Sequence, residues 1–470
     1  MIYHRREASL RHFSEISDTR APKSESRTAS LGKRQSVTLG ISSTLGARVV
    51  SLALGTLFSV IFTRILGPEG RGVYAVFTAG ATLGVSLSAL GFPTANAYFS
   101  ARDERNIPTL FGNSLALTAL FTVVIVALLA LWPEFQGVLG VEPAYYHIGL
   151  WFFAIGLPLN FLSALLRDLL LGKQWFVQYN LATAVSVLGY GALGVLLVVV
   201  LPSKVMAILL ANALTPVIPL LLALWFLLPF ERWHFSWDML KKSAFIGWRV
   251  YLFNLLAIAL ARLNVFMISR WLGSKQAGLY STALMLAELT ANLPNAAAPV
   301  IFTLTAVNQL SGTRLVLKTN RLVFLLVLAG NLGLAVLCVP LLSVFGPEFP
   351  KARYALWVLL PGIQCFSVVA ALRSYFQGLG FPLPTLLVPL AGLGLSFSLN
   401  LWLIPGVGIA GASLALVSSY AVMMLLSVWY VRTRNPTITW SEFFFPAPAE
   451  IMGYLTSVVN WSKRLRSREV

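Results

Sequence analysis

Four charged side chains stand where charge is least expected. In a chain that is 57% hydrophobic and 11% charged, Arg48, Arg249, Arg262 and one carboxylate, Glu288, fall well inside long apolar runs. Ionisable groups at such depth are rare, and where they occur they mark ion or substrate paths. Three guanidinium groups against one carboxylate suit an anionic ligand. Arginine fits phosphate in particular, because its planar fork donates hydrogen bonds in parallel pairs. The other nine Asp and Glu between residues 41 and 431 lie in loops or at run ends.

Position along the runs divides these charges into two groups. Arg48 and Arg249 lie one or two turns from the inner ends of the first helices of the two halves, where a phosphate arriving from one leaflet would meet them first. Snorkelling to lipid headgroups is the plainer role for both. Arg262 and Glu288 lie roughly 12 and 15 Å below the opposite ends of two consecutive antiparallel helices, at 1.5 Å per residue. That places them to pair. The pair is either a permanent bridge across a helical hairpin or a switch in which cargo phosphate takes Arg262 and frees Glu288 for a proton or Na⁺.

Other chemistry finds no footing. No paired carboxylates, His/Cys cluster or phosphate-loop motif occurs, and the four His are scattered. No polar loop between runs exceeds about fifteen residues, too little to hold a nucleotide, a metal or a catalytic base. The reading is therefore not an enzyme, with no cofactor and no metal. Cys338 and Cys365 sit inside apolar runs as packing residues and say nothing about redox compartment.

The elements that must position these charges are membrane helices. A mean hydropathy of +0.77 and a charged fraction less than half the roughly one quarter of soluble domains predict an all-α, polytopic membrane protein. Twelve apolar runs of roughly 20–28 residues occupy residues 41–431, each long enough to cross the hydrocarbon. The formal net charge of +18 sits in loops and tails, which favours anionic membrane lipids as partners and gives no reason to invoke nucleic acid. Eleven Lys/Arg fall in one set of short loops and seven in the other, and both tails are basic, with eight before residue 41 and six after 431. By the positive-inside rule both termini are cytoplasmic.

The chain states its central motif twice. Arg64-Ile65-Leu66-Gly67 with Gly72-Val73-Tyr74 returns 206 residues later as Arg270-Trp271-Leu272-Gly273 with Gly278-Leu279-Tyr280, and nine of thirty positions from residue 64 to 93 are identical at that offset. Six runs separate the two statements, an even number, so two six-helix lobes are related by a parallel repeat with its axis along the membrane normal. The expected divisions are a disordered basic tail (1–40), an N-terminal lobe (41–232), a C-terminal lobe (233–431) and a second tail (432–470). Ile451, Leu455, Val458 and Val459 give that tail the spacing of an interfacial amphipathic helix. At the same offset Arg249, Arg262 and Glu288 fall on Ser43, Thr56 and Thr82, and Arg48 on Asn254. The scaffold is duplicated and the buried charges are not, so binding is expected to be asymmetric. Pro93, Pro294 and Pro299 are helix breakers, read either as hinges or cavity lining or as packing kinks without function.

The Arg-x-Leu-Gly…Gly-x-Tyr corner entering the second run, with its echo, resembles the O-antigen-type polysaccharide-biosynthesis flippases of the multidrug/oligosaccharidyl-lipid/polysaccharide exporter superfamily. The resemblance covers about residues 41–431. It implies a V-shaped pair of lobes that alternates access and carries a polyprenyl-pyrophosphate-linked oligosaccharide from inner to outer leaflet. It further implies a cationic cavity, a bacterial inner-membrane location, and polysaccharide polymerase and glycosyltransferases as partners. Members of this group often carry Asp near the place of Asn264, a departure that leaves Glu288 as the ion-coupling candidate. The alternative reading is an ion-coupled multidrug or small-solute antiporter of the same superfamily. A cation exporter should place a carboxylate mid-membrane in its N-terminal lobe, and the first six runs have none.

Overall fold

A computed structural model describes residues 27–131, 140–173, 175–227, 233–307, 309–379 and 382–444; in parts of its helices, 27–49, 246–247, 249–250 and 296–315 among them, only the backbone is described. Among the described residues there are helices and no strands. Ten of the described helices are long and apolar enough to cross a membrane. Two of these are double length and leave helical geometry at a single glycine each, Gly67 (φ 65°) and Gly273 (φ 83°). Counting each as two gives the twelve expected spans. Both glycines occupy the same place in the repeated motif, and both adopt a positive φ that a side chain would oppose.

In chain order the helices are α1 (27–66), α2 (68–89), α3 (Phe92–Arg102), α4 (Ile107–Leu131), α5 (Tyr146–Gly172), α6 (Phe176–Val200), α7 (Lys204–Leu214), α8 (Val217–Leu227), α9 (237–272), α10 (274–307), α11 (Gln309–Val336), α12 (Cys338–Phe345), α13 (Arg353–Gly378), α14 (Leu387–Val407) and α15 (Ile409–Arg434). Among the described residues, three spans are interrupted. The second breaks at Leu90 (φ 42°) and Gly91 (φ 82°), just before Pro93, as that proline suggested. The sixth breaks between α7 and α8, ahead of Val217, and the ninth at Leu337. The eighth span instead runs helical through Pro294 and Pro299. Helix also begins earlier than composition indicated, at Arg27, so the expected disorder does not extend over residues 27–40. The proposed C-terminal amphipathic helix lies outside the described residues.

Helices before residue 228 pack chiefly on one another, and so do those after 236; the broad contact between the lobes runs from α1–α2 to α9–α10. The corner helices form its centre. Val73, Val76, Phe77, Leu279, Tyr280 and Ala283 are all fully or almost fully buried in one continuous core. Outward, the surface is apolar: Val199, Val336 and Trp402 are 81–85% exposed, which only a lipid environment tolerates over a whole perimeter.

The two corners meet. A Cβ built on Gly72 would lie 1.7 Å from the Ser274 carbonyl oxygen, and one on Gly278 would lie 1.8 Å from that of Pro68. Residues 68 and 274, like 72 and 278, are related by the 206-residue offset, so the contact is reciprocal about the repeat axis. Further out at the same end, Arg64 Nε donates to the Val344 carbonyl across the lobes, and Ser269 Oγ donates to the Gly140 carbonyl at 2.8 Å. Gly140 and Gly346, again 206 apart, both have positive φ. The end of the molecule bearing the corners is thus closed by backbone-to-backbone packing.

At the opposite end, each lobe carries a strap on its third span, α4 in the first lobe and α11 in the second. Asn113 exchanges hydrogen bonds with the backbone of Ser236, donating to its carbonyl at 3.1 Å and accepting from its N–H at 2.9 Å. In the second lobe Asn320 donates to the Phe443 carbonyl at 2.7 Å. Trp233 packs at a tilt against Phe111 in the first strap, and Trp440 lies under Arg432 in the second. Asn113 and Asn320, Ser236 and Phe443, and Trp233 and Trp440 are each 207 residues apart, so the duplication extends to the inter-lobe linker and the residues after α15.

Candidate functional site

The corner fold decides which side chains face inward. Helix α2 begins at Pro68, directly after the single non-helical residue Gly67, a position where proline's missing N–H costs nothing. Arg71 and Tyr74 consequently stand on the first turns of α2, one turn apart and on one face. They look into a cavity of about 380 Å³ between the lobes, whose other walls include Ser51, Thr56 and Ser59 of α1, Tyr190 of α6, and Met285, Glu288 and Asn292 of α10.

Tyr74 is held firmly. Its hydroxyl accepts from Tyr190 Oη at 2.9 Å and from Asn212 Nδ2 at 3.2 Å. The Arg71 guanidinium sits 5.3 Å from the centre of the Tyr74 ring, a cation–π contact that fixes where the charge points. Arg71 Nη2 lies 3.8 Å from Met285 Sδ, which Ser59 Oγ also approaches, at 2.9 Å. Arg71 Nε and Ser51 Oγ are buried without a hydrogen-bond partner.

Glu288 lies one turn beyond Met285 and lines the same cavity. Arg262 does not line it, but stands within electrostatic reach of both Glu288 and Arg71. The expected Arg262–Glu288 ion pair is absent among the described residues, where the bridges found involve other groups. Depth along two helices carries no information on rotation about the helix axis, which decides contact. The side chains of Arg48 and Arg249 lie outside the described residues.

Sequence reasoning placed Arg71 among the loop charges because Pro68, Glu69, Gly70 and Arg71 look polar in a hydropathy window. One signal was available. Arg71 falls on Ala277 at the 206-residue offset, so it too is a charge added to the duplicated scaffold. The cavity wall therefore carries Arg71 and Glu288, and Arg262 acts on both through its field, two positive groups and one negative.

Asn264, by contrast, is fully occupied. Its amide donates to Tyr280 Oη and the Ala412 carbonyl, both at 2.9 Å, and accepts from Asn400 Nδ2 at 2.8 Å and Ser396 Oγ at 3.3 Å. Four bonds use its donor and acceptor capacity, tying α9, α10, α14 and α15 together. A larger cavity of about 740 Å³ lies within the second lobe, lined by apolar groups and by Asn331 and Gln364. Those amides bond to each other at 3.2 Å and to the Leu360 and Phe324 carbonyls. Among the described residues, no charged side chain lines that cavity.

A family profile described as "Polysaccharide biosynthesis protein" matches residues 37–309, more than half of the chain. The chain belongs to this polysaccharide biosynthesis protein family. A search of curated proteins returns no match. Among solved structures, this family member is similar to an inward-facing multidrug resistance MATE family transporter of the MOP superfamily, at 16% identity and a TM-score of 0.69, covering 83% of this chain and 98% of that one. It is similar to the lipid II flippase MurJ in an inward closed conformation, at 12% identity and a TM-score of 0.69, covering 85% and 88%. An outward-facing MATE structure matches at 17% identity with a TM-score of 0.60, covering 84% and 95%. At such identities the likeness is one of fold.

Proposed function

We propose that this member of the polysaccharide biosynthesis protein family is a flippase, moving a polyprenyl-pyrophosphate-linked oligosaccharide from the inner to the outer leaflet by alternating access. The observation that carries the reading is the inter-lobe cavity with Arg71 on its wall and Arg262 within electrostatic reach, opposed by the carboxylate of Glu288. An excess of fixed positive charge in a low-dielectric hollow favours an anion strongly. A diphosphate-linked glycan combines an anionic head with a polar body, and the hydroxyl and amide groups of Thr56, Ser59 and Asn292 suit the latter. On this reading Arg262 holds the diphosphate through its field, Arg48 and Arg249 receive it near the cytoplasmic surface, and Glu288 is the group released for ion coupling.

The protein then works in the bacterial inner membrane with both termini cytoplasmic, beside the glycosyltransferases that build its cargo and the polymerase that consumes it. It moves a molecule without making or breaking a covalent bond in it.

A second reading, an ion-coupled antiporter of multidrug or small-solute type, is favoured by one finding: the fold matches a multidrug transporter as well as it matches MurJ. Charge argues against it, since a cationic drug would meet two arginines around one carboxylate. The test is Arg262→Ala in cells that depend on the protein for surface glycan. The flippase reading expects glycan export to fall at least tenfold with the protein still in the membrane. Undiminished glycan would remove Arg262 from the transport path.

A further inference from the structure

Strong hydrogen-bond donors in the inter-lobe cavity converge on a weak acceptor. Ser59 Oγ donates to Met285 Sδ at 2.9 Å, and Arg71 Nη2 approaches the same sulfur at 3.8 Å. Arg71 Nε is buried and bonded to nothing. A thioether sulfur is a poor acceptor, and a guanidinium withdrawn from water normally finds a carboxylate, a phosphate or several carbonyl oxygens. The cavity's carboxylate, Glu288, makes no ion pair with Arg71 among the described residues.

Arg71 is nonetheless held in place. Its guanidinium rests against the Tyr74 ring, and Tyr74 is locked by Tyr190 and Asn212. A preorganised fork with an unused N–H, beside a hydroxyl aimed at the same point, is a site built for an oxygen anion. We propose that Ser59 and Arg71 form the seat for one phosphate group, and that Met285 occupies that seat when no ligand is bound. A phosphate oxygen replaces the sulfur and receives the Ser59 hydroxyl and the Arg71 fork together. Methionine suits the role of placeholder because its three rotatable bonds let it withdraw without moving the helix.

The charges facing the seat act in a definite sense. Glu288, one turn along α10 from Met285, repels a seated phosphate, while Arg262, in reach of both Arg71 and Glu288, offsets that repulsion. Neutralising Glu288 therefore strengthens binding. For the source of the phosphate this inference rests on the flippase reading: a diphosphate ester of a long isoprenoid alcohol. The seat itself needs only the phosphate.

The test is equilibrium binding to the full-length protein in lipid nanodiscs, with undecaprenyl diphosphate, inorganic diphosphate and undecaprenol as probes. Wild-type protein is expected to bind undecaprenyl diphosphate well above undecaprenol. Arg71→Gln should weaken the diphosphate lipid on the order of 10- to 100-fold, the loss of a charge-assisted bond, and Ser59→Ala by roughly fivefold. Arg71→Lys, which keeps the charge and loses the fork, should fall between Arg71→Gln and wild type. Met285→Leu and Glu288→Gln should each bind the diphosphate lipid more tightly than wild type. Thermal unfolding of each variant checks the fold, and the two tightening variants keep the test open if Arg71→Gln does not assemble.

Wild-type affinity for undecaprenyl diphosphate in Arg71→Gln, or weakened binding in Met285→Leu, overturns the seat while leaving the flippase reading standing. Arg71-dependent binding of inorganic diphosphate without binding of the lipid supports the seat and removes the lipid-linked cargo. Binding of none of the phosphate probes overturns both.

Discussion

Replacing Gly72 with Ala should push the transporter toward the state that is open at the corner end. The added Cβ would lie 1.7 Å from the Ser274 carbonyl oxygen, 2.6 Å from its carbon and 3.0 Å from the Gly278 nitrogen. Comfortable non-bonded contact begins at roughly 3.5 Å, so the lobes must separate there by about 1.5–2 Å. The opposing atoms are backbone, and no rotamer change can relieve the clash. Overpacking costs about 1–3 kcal/mol, and each 1.4 kcal/mol is tenfold, so the closed-corner state should lose on the order of 10- to 100-fold in relative population. Helix propensity works the other way: Gly to Ala in α2 stabilises the helix by up to about 1 kcal/mol. Global unfolding should therefore change little while the conformational balance shifts.

The assay is electron–electron distance measurement between spin labels at Lys204→Cys and Lys351→Cys, in protein lacking Cys338 and Cys365. Both lysines are exposed at the corner end, one in each lobe. Gly72→Ala should add a longer-distance component, Gly278→Ala should do the same by the reciprocity of the contact, and turnover should fall because the cycle needs both states. An unchanged distance distribution with normal turnover would refute the view that the two corners form the closing contact.

Three further outcomes are expected. Asn264→Ala removes a side chain with four hydrogen bonds and strands Asn400, Ser396 and Tyr280, so it should cost about 2–4 kcal/mol of stability; an unchanged melting temperature would show the knot to be dispensable. Because Arg262 and Glu288 sense each other without touching, Arg262→Glu with Glu288→Arg should restore only a small part of the loss caused by either reversal, and full rescue in a double-mutant cycle would mean direct contact somewhere in the cycle. Glu442 is held below the usual carboxylate range, chiefly by the Thr439 N–H and then by the Thr439 hydroxyl and Arg321. A depressed carboxyl contributes its stabilisation above its unfolded pKa and loses it as pH falls through the folded value. Hydrogen exchange at the Thr439 amide should thus rise, relative to its intrinsic rate, as the medium is acidified below the carboxylate range. Glu442→Gln should show no such rise, and identical profiles would remove Glu442 from control of the strap.

Much of the architecture was written plainly in the amino-acid order. Span number follows from run length, and the parallel repeat from a constant offset with six runs between, because bilayer thickness and an even crossing count leave little freedom. The corner glycines could also be read as special, but not that they would meet. Their contact depends on two segments 206 residues apart, and a pattern of identities cannot say which faces of a repeat pack together. Arg71 was hidden for a related reason: one residue of non-helical backbone at Gly67 turns an apparent loop into the first turn of α2. Pro294 and Pro299 mark another limit, since whether proline bends a helix depends on whether its neighbours can reconnect the freed backbone groups.

The central claim is tested most directly in sealed proteoliposomes holding the purified protein and an undecaprenyl-diphosphate-linked oligosaccharide with a labelled sugar. Accessibility of that sugar to an added, membrane-impermeant glycosidase reports which leaflet it occupies. Wild-type protein should move the labelled lipid across, while Arg71→Gln and Arg262→Ala should slow it at least tenfold and a cationic dye should not be exported. Transport of the dye with no movement of the lipid-linked sugar would contradict the account and favour the antiporter.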